Sequence, residues 1–438
     1  MGAPLRLKRL VIKNARCFKD AELDFMTTPR KSRNMTLLVG DNGEGKTTIL
    51  KAIAIGLSPE KEAAALITDM PGRFIRRNKK GAYEKRAEIC LELFDPAKPS
   101  MQYRITTILE EDQSGQEFLR KTMEPADFPW ERIFVCGYGV NRGGRASGSL
   151  DTYRIREAVN TLFDDGGTLL EPETVLKNFK LAQLEAENGT GGKVSFNDLI
   201  RHLKFVLRLA PSHKIEVSAE RVLVHGKWGA MPFHALGDGY RGTSSWLLDF
   251  VSRSHAAGHP MAGIVLLDEL DEHLHPSWQR KLPGLLKSRF KHIQFVATTH
   301  SALPLVDCSA NEIIACHLHN AVASLVSDMP GPQGKSADDI LRGEWFGLDA
   351  TVDSKSAKLL SRYRTALAKN ASAEDIASLR KKVHQQLGYQ VFSPMDELAI
   401  QIAAEVRKDF NKHTTEIEKS ELLTKAAQRL RERLRGAS

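Results

Sequence analysis

The stretch Gly40-Asp41-Asn42-Gly43-Glu44-Gly45-Lys46-Thr47 decides how this chain is read. It completes the pattern G-x-x-x-x-G-K-[ST], and it does so in context. The apolar run Met35-Thr36-Leu37-Leu38-Val39 before it reads as a buried strand. Thr48-Ile49-Leu50-Lys51-Ala52-Ile53-Ala54 after it carries apolar residues at helical spacing. Strand, glycine-rich loop and helix in that order make an anion cradle. The glycines let the backbone bend until several N–H groups face inward, and the helix N-terminus adds its partial positive charge. The pattern therefore predicts a nucleoside triphosphate, held by Gly40, Asn42, Gly43, Glu44, Gly45, Lys46, Thr47 and Thr48. Lys46 is expected to reach the β- and γ-phosphates, and the Thr47 hydroxyl to ligate Mg²⁺.

Composition fits such a protein and narrows its setting. A chain of 438 residues with 42% hydrophobic content has room for two or three domains with sizeable cores. The 63 Lys and Arg against 54 Asp and Glu leave a formal charge of +9, which suits an anionic partner without identifying one. Five cysteines, Cys17, Cys90, Cys136, Cys308 and Cys316, are odd in number and include no C-x-x-C, which argues against a disulfide framework or a zinc ribbon. No apolar run approaches the roughly 20 residues that span a bilayer, and the N-terminus has no apolar leader. A cytoplasmic protein with no membrane association is expected.

Strands are predicted over 5–13, 21–25, 85–94, 101–109 and 133–137. The segment 85–94 alternates cleanly, with Ala87, Ile89, Leu91 and Leu93 on one face and Glu88 and Glu92 on the other, as a half-buried antiparallel strand does. Residues 151–209 read as mostly helical, interrupted by Asn188-Gly189-Thr190-Gly191-Gly192. Short strands at 214–218 and 222–225 precede a helix at about 240–252. Strand, helix and strand follow at 263–267, 277–290 and 292–298, so the core sheet after the P-loop should be mainly parallel.

The apolar strand Gly263-Ile264-Val265-Leu266-Leu267 ends in Asp268-Glu269. Burial of the strand fixes the direction of both carboxylates, which predicts Asp268 as a Mg²⁺ ligand, direct or through water, and Glu269 as the group that polarises the attacking water. The next strand ends at Thr298-Thr299-His300-Ser301, where ligands bind in open α/β sheets, so His300 is a candidate for the γ-phosphate or the water. His273 and His275 lack a third convergent ligand and do not read as a metal site. Phe233-His234-Ala235-Leu236-Gly237-Asp238-Gly239-Tyr240-Arg241 places glycines before a helix by the same logic as the P-loop.

P-loop, Leu236-Gly237-Asp238-Gly239-Tyr240-Arg241, Leu266-Leu267-Asp268-Glu269 and Thr298-Thr299-His300-Ser301, in that order, resemble the motifs of ABC-type ATPase heads of the SMC and RecF kind. The resemblance covers residues 5–320. It implies an α/β head with a mixed sheet, antiparallel N-terminal strands and a helical lobe. It also implies that the signature segment of one subunit, Leu236, Gly237, Asp238 and Gly239, closes on the γ-phosphate held by the other, so that the chain works as a homodimer or a higher oligomer of dimers. Asn14-Ala15-Arg16-Cys17-Phe18 is similar to the arginine segment of these heads, which would bring Arg16 to the nucleotide. Two departures stand out. Gly237 occupies the place of the family's signature serine, so slow or partner-stimulated hydrolysis is expected. Gly137-Tyr138-Gly139-Val140-Asn141-Arg142 lies where these heads carry a glutamine-bearing loop, and it contains no glutamine.

SMC proteins carry hundreds of coiled-coil residues between these motifs, whereas this insert is short. After residue 320 the acids Asp338-Asp339, Asp349, Asp353 and Asp396-Glu397 do not form the Glu and Asp-x-Asp cluster of a Toprim nuclease domain. The chain is therefore not expected to cut nucleic acid itself. Asp268 through Pro276, Ser336-Ala337-Asp338-Asp339-Ile340-Leu341 and Trp345-Phe346-Gly347-Leu348-Asp349 resemble segments of the Septu-type anti-phage defence ATPases. That family works with a separate HNH-nuclease subunit, and a retron-associated ATPase would look the same. The resemblance implies an ATPase whose nucleotide state controls an HNH-type DNA nuclease, with nucleic acid bound directly or through the complex. The alternative is a RecF- or SMC-like repair or chromosome-maintenance ATPase with no nuclease partner.

The expected organisation is a head over 1–330 with its helical lobe at about 151–209, a linker over 331–350, and a helical partner-docking region over 351–438. Two basic clusters complete the reading. Arg73, Arg76, Arg77, Lys79, Lys80, Lys85 and Arg86, with Phe74 and Tyr83 among them, form either a phosphate-backbone surface or a solvated charged loop. Lys425, Arg429, Arg431, Arg433 and Arg435, interleaved with Leu430 and Leu434, suggest an amphipathic docking helix.

Overall fold

In the computed structural model, residues 2–78, 81–113, 115–142, 145–146, 152–187, 196–348, 351–369 and 371–387 are described. The basic segment at 425–435 lies outside them, as do Lys79, Lys80, Asp349, Asp396 and Glu397. The chain divides into two compact units, Met1–Gly347 and Leu348–Ser438.

The first unit is built on a six-stranded sheet in the order Val322–Val326, Ile313–His319, Met35–Val39, Ile293–Thr299, Gly263–Leu267, Val135–Tyr138. All its pairings are parallel except the outermost, between Ile313–His319 and Val322–Val326. Successive side chains of a strand point to opposite faces, and here both faces are covered. Leu37, Val39, Val265, Leu267, Phe295 and Ala297 belong to one core with the helix Asp238–Ala256. Leu38, Ile264, Leu266, Val296 and Ile314 belong to the other, with the helix Lys46–Leu57.

That second core is closed by a five-stranded antiparallel sheet in the order Phe18–Asp24, Arg6–Ala15, Arg86–Asp95, Lys98–Glu111, Glu117–Glu124. The P-loop helix is thus buried between two sheets. Gln294, itself buried, ties the sheets together: its Oε1 accepts from Leu7 N at 2.8 Å and its Nε2 donates to Leu7 O at 3.1 Å. A mixed sheet with antiparallel N-terminal strands and a helical lobe is what the resemblance implied. The lobe consists of Pro172–Glu187 and Phe196–Val206, with an antiparallel three-stranded sheet, Lys214–Val217, Val222–Gly226 and Gly229–Pro232, after it.

Two expectations need correction. The helix predicted over 277–290 is two helices, Pro276–Gln279 and Leu282–Arg289, because Pro283 has no N–H to continue the first ladder. The segment expected to be a linker is folded against the head instead. Ser336 caps the helix Ala337–Arg342, and Ile340 and Trp345 are buried in the same core as the signature helix. In the second unit, the helices Ser354–Ala368 and Ala373–Leu387 pack through Tyr363, Leu367 and Val383.

Candidate nucleotide-binding and catalytic site

The strands Met35–Val39, Ile293–Thr299 and Gly263–Leu267 are adjacent, parallel and in register at their C-terminal ends, with Val39 opposite Thr299 and Leu267 opposite Ala297. The P-loop, His300 and the Asp268–Glu269 pair therefore emerge side by side at the edge where open α/β sheets bind ligands. The loop bends at Gly45, which has φ +97°. A Cβ there would lie 2.5 Å from Cys17 Sγ and 2.7 Å from the Phe18 ring, so only glycine fits. Lys46 Nζ donates to the carbonyls of Gly40 at 2.7 Å and Asp41 at 2.8 Å, and lies 3.3 Å from His300 Nδ1. Burial pulls the Lys46 amine below its ordinary pKa, with Cys316 and Glu44 opposing the shift. Glu44 braces the loop rather than facing its mouth. Its carboxylate accepts from Asp41 N at 2.6 Å and from Leu318 N at 3.1 Å, pinning the P-loop to the strand Ile313–His319. Asn42 and Gly43 are exposed at the loop tip and Thr48 is buried beneath it.

The acids are organised by hydroxyls. Thr47 Oγ1 donates to Asp268 Oδ2 at 2.8 Å, and Thr298 Oγ1 donates to Asp268 Oδ1 at 2.6 Å while accepting from Glu269 N at 2.8 Å. Glu269 takes φ +47°, a left-handed turn that brings its carboxylate to 3.7 Å from His300 Nε2. An imidazole that accepts from Lys46 at Nδ1 carries its proton on Nε2, facing Glu269. Lys46, His300 and Glu269 thus form a continuous polar row, with Thr47 and Asp268 alongside. A hydroxyl and a carboxylate in contact are the hard oxygen donors that Mg²⁺ takes together with waters and phosphate oxygens, so Thr47 and Asp268 would hold it. Bound there, the ion would neutralise charge on the phosphates. Among the described residues no group of three or more His, Cys, Asp or Glu could hold a metal by itself. His273 pairs with Glu272 at 3.5 Å, and His275 caps the helix Pro276–Gln279.

Among the described residues no hydrogen bond or ion pair ties Arg16 or the signature residues to this row. Arg16, at φ +47°, donates to Pro71 O at 2.9 Å, and the loop beneath it is held by Arg76, which donates to the carbonyls of Arg16, Cys17 and Ala321. The signature residues open the helix Asp238–Ala256, with Leu236 buried and Gly237 exposed at its N-cap. Among the described residues no hydrogen bond or ion pair joins 236–239 to the P-loop. Asp238 pairs instead with Arg241 at 3.4 Å.

Sequence reasoning missed three participants. Thr298, the residue that orients both acids, belongs to the Thr298-Thr299-His300-Ser301 motif, but the sequence assigns a role only to His300 of that motif. Asp249 is fully buried and accepts from Tyr138 OH at 3.0 Å, Arg253 Nε at 2.7 Å and Leu170 N at 3.0 Å, which anchors the signature helix to the strand Val135–Tyr138. An acid and an arginine four apart on a helix were a visible signal for that pair. Arg142 reaches the backbone at Asp268 and Glu269; its stretch, Gly137 to Arg142, stands out only for lacking a glutamine, and the sequence assigns the arginine itself no role.

The first basic cluster is largely engaged in structure. Arg73 pairs with Glu111 at 3.0 Å and lies 4.4 Å from the Tyr83 ring; Arg77 donates to Gly81 O at 2.7 Å; Arg86 pairs with Glu88 at 3.6 Å.

Comparison with known proteins gives two family matches, "AAA domain" over residues 9–157 and "AAA domain, putative AbiEii toxin, Type IV TA system" over residues 160–307. Septu protein PtuA of Bacillus mycoides (strain KBAB4) is 25% identical over 86% of this chain and 50% of its own length. The Retron Vc95 probable ATPase of Vibrio cholerae serotype O1 biovar El Tor is 33% identical over 28% of this chain and 24% of its own length. The chain spans half or less of the length of these relatives. Among solved structures, the SMC head domain from Thermotoga maritima aligns with 74% of this chain and 100% of its own at 18% identity, with a TM-score of 0.43. The chain thus has a P-loop site, matches AAA-domain models over residues 9–157 and 160–307, and is similar, over most of its length, to Septu protein PtuA.

Proposed function

We propose that this chain is the ATP-binding and ATP-hydrolysing subunit of an anti-phage defence complex, and that its nucleotide state controls a partner HNH-type DNA nuclease. The observation that carries the ATPase reading is the single row of Lys46, His300 and Glu269 with Thr47 and Asp268 beside it, all at the C-terminal edge of one parallel sheet. The P-loop amides and Lys46 bind the phosphates. Water attacks the γ-phosphorus, the bond to the bridging β–γ oxygen breaks, and Glu269 receives the water proton, leaving ADP and phosphate. His300 orients Glu269 against the phosphate end. Among the described residues the signature segment makes no hydrogen bond or ion pair to the P-loop of its own chain, which supports closure in trans across a homodimer. The defence role and the HNH partner rest on similarity to the Septu and retron-associated ATPases.

Lys46→Ala should abolish binding of a fluorescent ATP analogue, while Glu269→Gln should bind it as the wild type does and lose turnover. Equal ATP affinity in wild type and Lys46→Ala would sink the site assignment. Co-purification of the chain with the products of its neighbouring genes tests the nuclease partnership.

A further inference from the structure

Asp268 and Glu269 sit where the sheet ends, and their carbonyls therefore lose their ladder partners. Asp268 N still donates to Tyr138 O at 2.8 Å, the last step of pairing with the strand Val135–Tyr138. Beyond it the backbone turns left-handed at Glu269, a conformation that a residue with a Cβ keeps only where its surroundings hold it. The chain leaving Tyr138 supplies that hold. Arg142, four residues on, folds back so that its Nη2 donates to Asp268 O and, at 2.9 Å, to Glu269 O, while its Nε donates to Gly139 O at 3.0 Å. Glu269 O has only one further donor among these contacts, Glu272 N at 3.3 Å. Arg142 is half-buried, and its guanidinium sits in the field of Glu272, Asp268, Glu269 and Asp271. Its position also lines a cavity of about 240 Å³ shared with Asp238, Arg241 and Ser245 of the signature helix and with His273.

We infer that Arg142 is the positioning residue of the catalytic turn: it holds the Asp268 and Glu269 carbonyls so that the Glu269 carboxylate stays aimed at His300 and the P-loop. It does not touch the nucleotide. A planar, always-charged fork suits the task because it can reach several carbonyls at once, which a lysine amine does with poorer geometry. The same loop is tied to the signature helix through Tyr138 and Asp249, so the hold on Glu269 is continuous with the element expected to meet a second subunit.

The inference rests on the ATPase reading above, and the test separates the two. In Arg142→Ala, affinity for the ATP analogue and KM should stay within about threefold of wild type, while kcat falls about 100-fold, the scale of a displaced catalytic group. Arg142→Lys should recover part of that loss. In the Glu269→Gln background, Arg142→Ala should cost nothing more. Hydrogen exchange in nucleotide-free protein should rise over residues 268–272 in Arg142→Ala and stay unchanged in the antiparallel sheet. A wild-type kcat in Arg142→Ala, or unaltered exchange over 268–272, overturns the positioning role. So does a parallel loss of nucleotide affinity and melting temperature, which would make Arg142 a general brace. A wild-type protein that neither binds nor hydrolyses ATP instead sinks the ATPase reading, and the exchange measurement still judges Arg142.

Discussion

Gly237 and Gly239 are two residues apart and sterically opposite. A Cβ on Gly239 would lie 2.7 Å from the His273 carbonyl oxygen of its own chain, so a side chain there disturbs the head before any second subunit is involved. A Cβ on Gly237 meets nothing within 4 Å, and the residue is exposed at the N-cap of the signature helix with φ −58°, where any residue fits. Gly237 is therefore the position at which to probe closure. Gly237→Asp should leave ATP bound to each monomer and suppress turnover, because a carboxylate would face the γ-phosphate across the dimer. Gly237→Ser should restore the hydroxyl that the resembling family carries and raise kcat about 2- to 10-fold, the value of one hydrogen bond made in the closed state. Steady-state hydrolysis beside equilibrium binding on the same samples checks both. If Gly237→Asp hydrolyses ATP as fast as wild type, the signature segment does not act at the phosphates. At this scale the P-loop, Asp268, Glu269 and His300 were legible because motif, strand and strand end coincide. The roles of Arg142 and Thr298 were not, although both lie in stretches the sequence singles out, because a hydrogen bond to a carbonyl or a carboxylate 30 to 130 residues away leaves no periodicity in the sequence.

The helix Lys46–Leu57 shows how an element can be sound in pattern and still depend on a distant residue. It is buried along its length between two sheets, so the carbonyls of its last turn have little water to bond. Lys121, from the strand Glu117–Glu124, supplies them: its Nζ donates to Ile55 O at 2.7 Å, Gly56 O at 3.0 Å and Thr107 Oγ1 at 2.8 Å. The residue is half-buried as a whole, but its amine is enclosed, and burial lowers its pKa from 10.5 to about 7, with Glu60 opposing. Below pH 7 both the folded and the unfolded chain carry this proton. Between about 7 and 10.5 the unfolded chain keeps it and the folded one sheds it, so unfolding takes up a proton and stability rises with pH. The wild type should therefore gain on Lys121→Met as the pH is raised from 7 toward 10, read as the difference in urea midpoints of the two proteins. A constant or shrinking difference would mean that the amine stays charged in the fold. That strand was also the one missed within the antiparallel sheet. Its sequence, Glu117-Phe118-Leu119-Arg120-Lys121-Thr122-Met123-Glu124, buries only Leu119, because an edge strand pairs by its backbone and needs no apolar stripe. Val322–Val326, the edge of the parallel sheet, escaped notice for the same reason.

At the scale of the whole molecule, the change of texture near residue 330 marks something real but not the end of the head. Met329, Ile340 and Trp345 are buried in the core that also holds the signature helix, and the compact unit runs to Gly347. Low hydrophobicity and the glycines and prolines of 330–336 read as a linker because three scattered apolar anchors are enough to fold such a segment down, and three residues do not make a pattern. A truncation must respect this. Ending the chain at 330 removes Ile340 and Trp345, and loss of a buried tryptophan alone costs about 3–5 kcal/mol, a large part of the about 5–15 kcal/mol that holds a domain. That variant should melt markedly lower and bind ATP poorly for want of a stable head. Ending it after Gly347 leaves every residue of the candidate site and its core in place, so ATP binding should match the full chain. What the second truncation should lose is the partner. The described helices of the second unit bury a small cluster around Tyr363, Leu367 and Val383, and every candidate site residue belongs to the first unit. We therefore propose that this unit docks the HNH nuclease. Pull-down of the nuclease by the full chain but not by residues 1–347, with ATP affinity equal in both, is the expected result. Capture of the nuclease by residues 1–347 would place its docking surface on the head, and loss of ATP binding there would make the second unit part of the fold that forms the site.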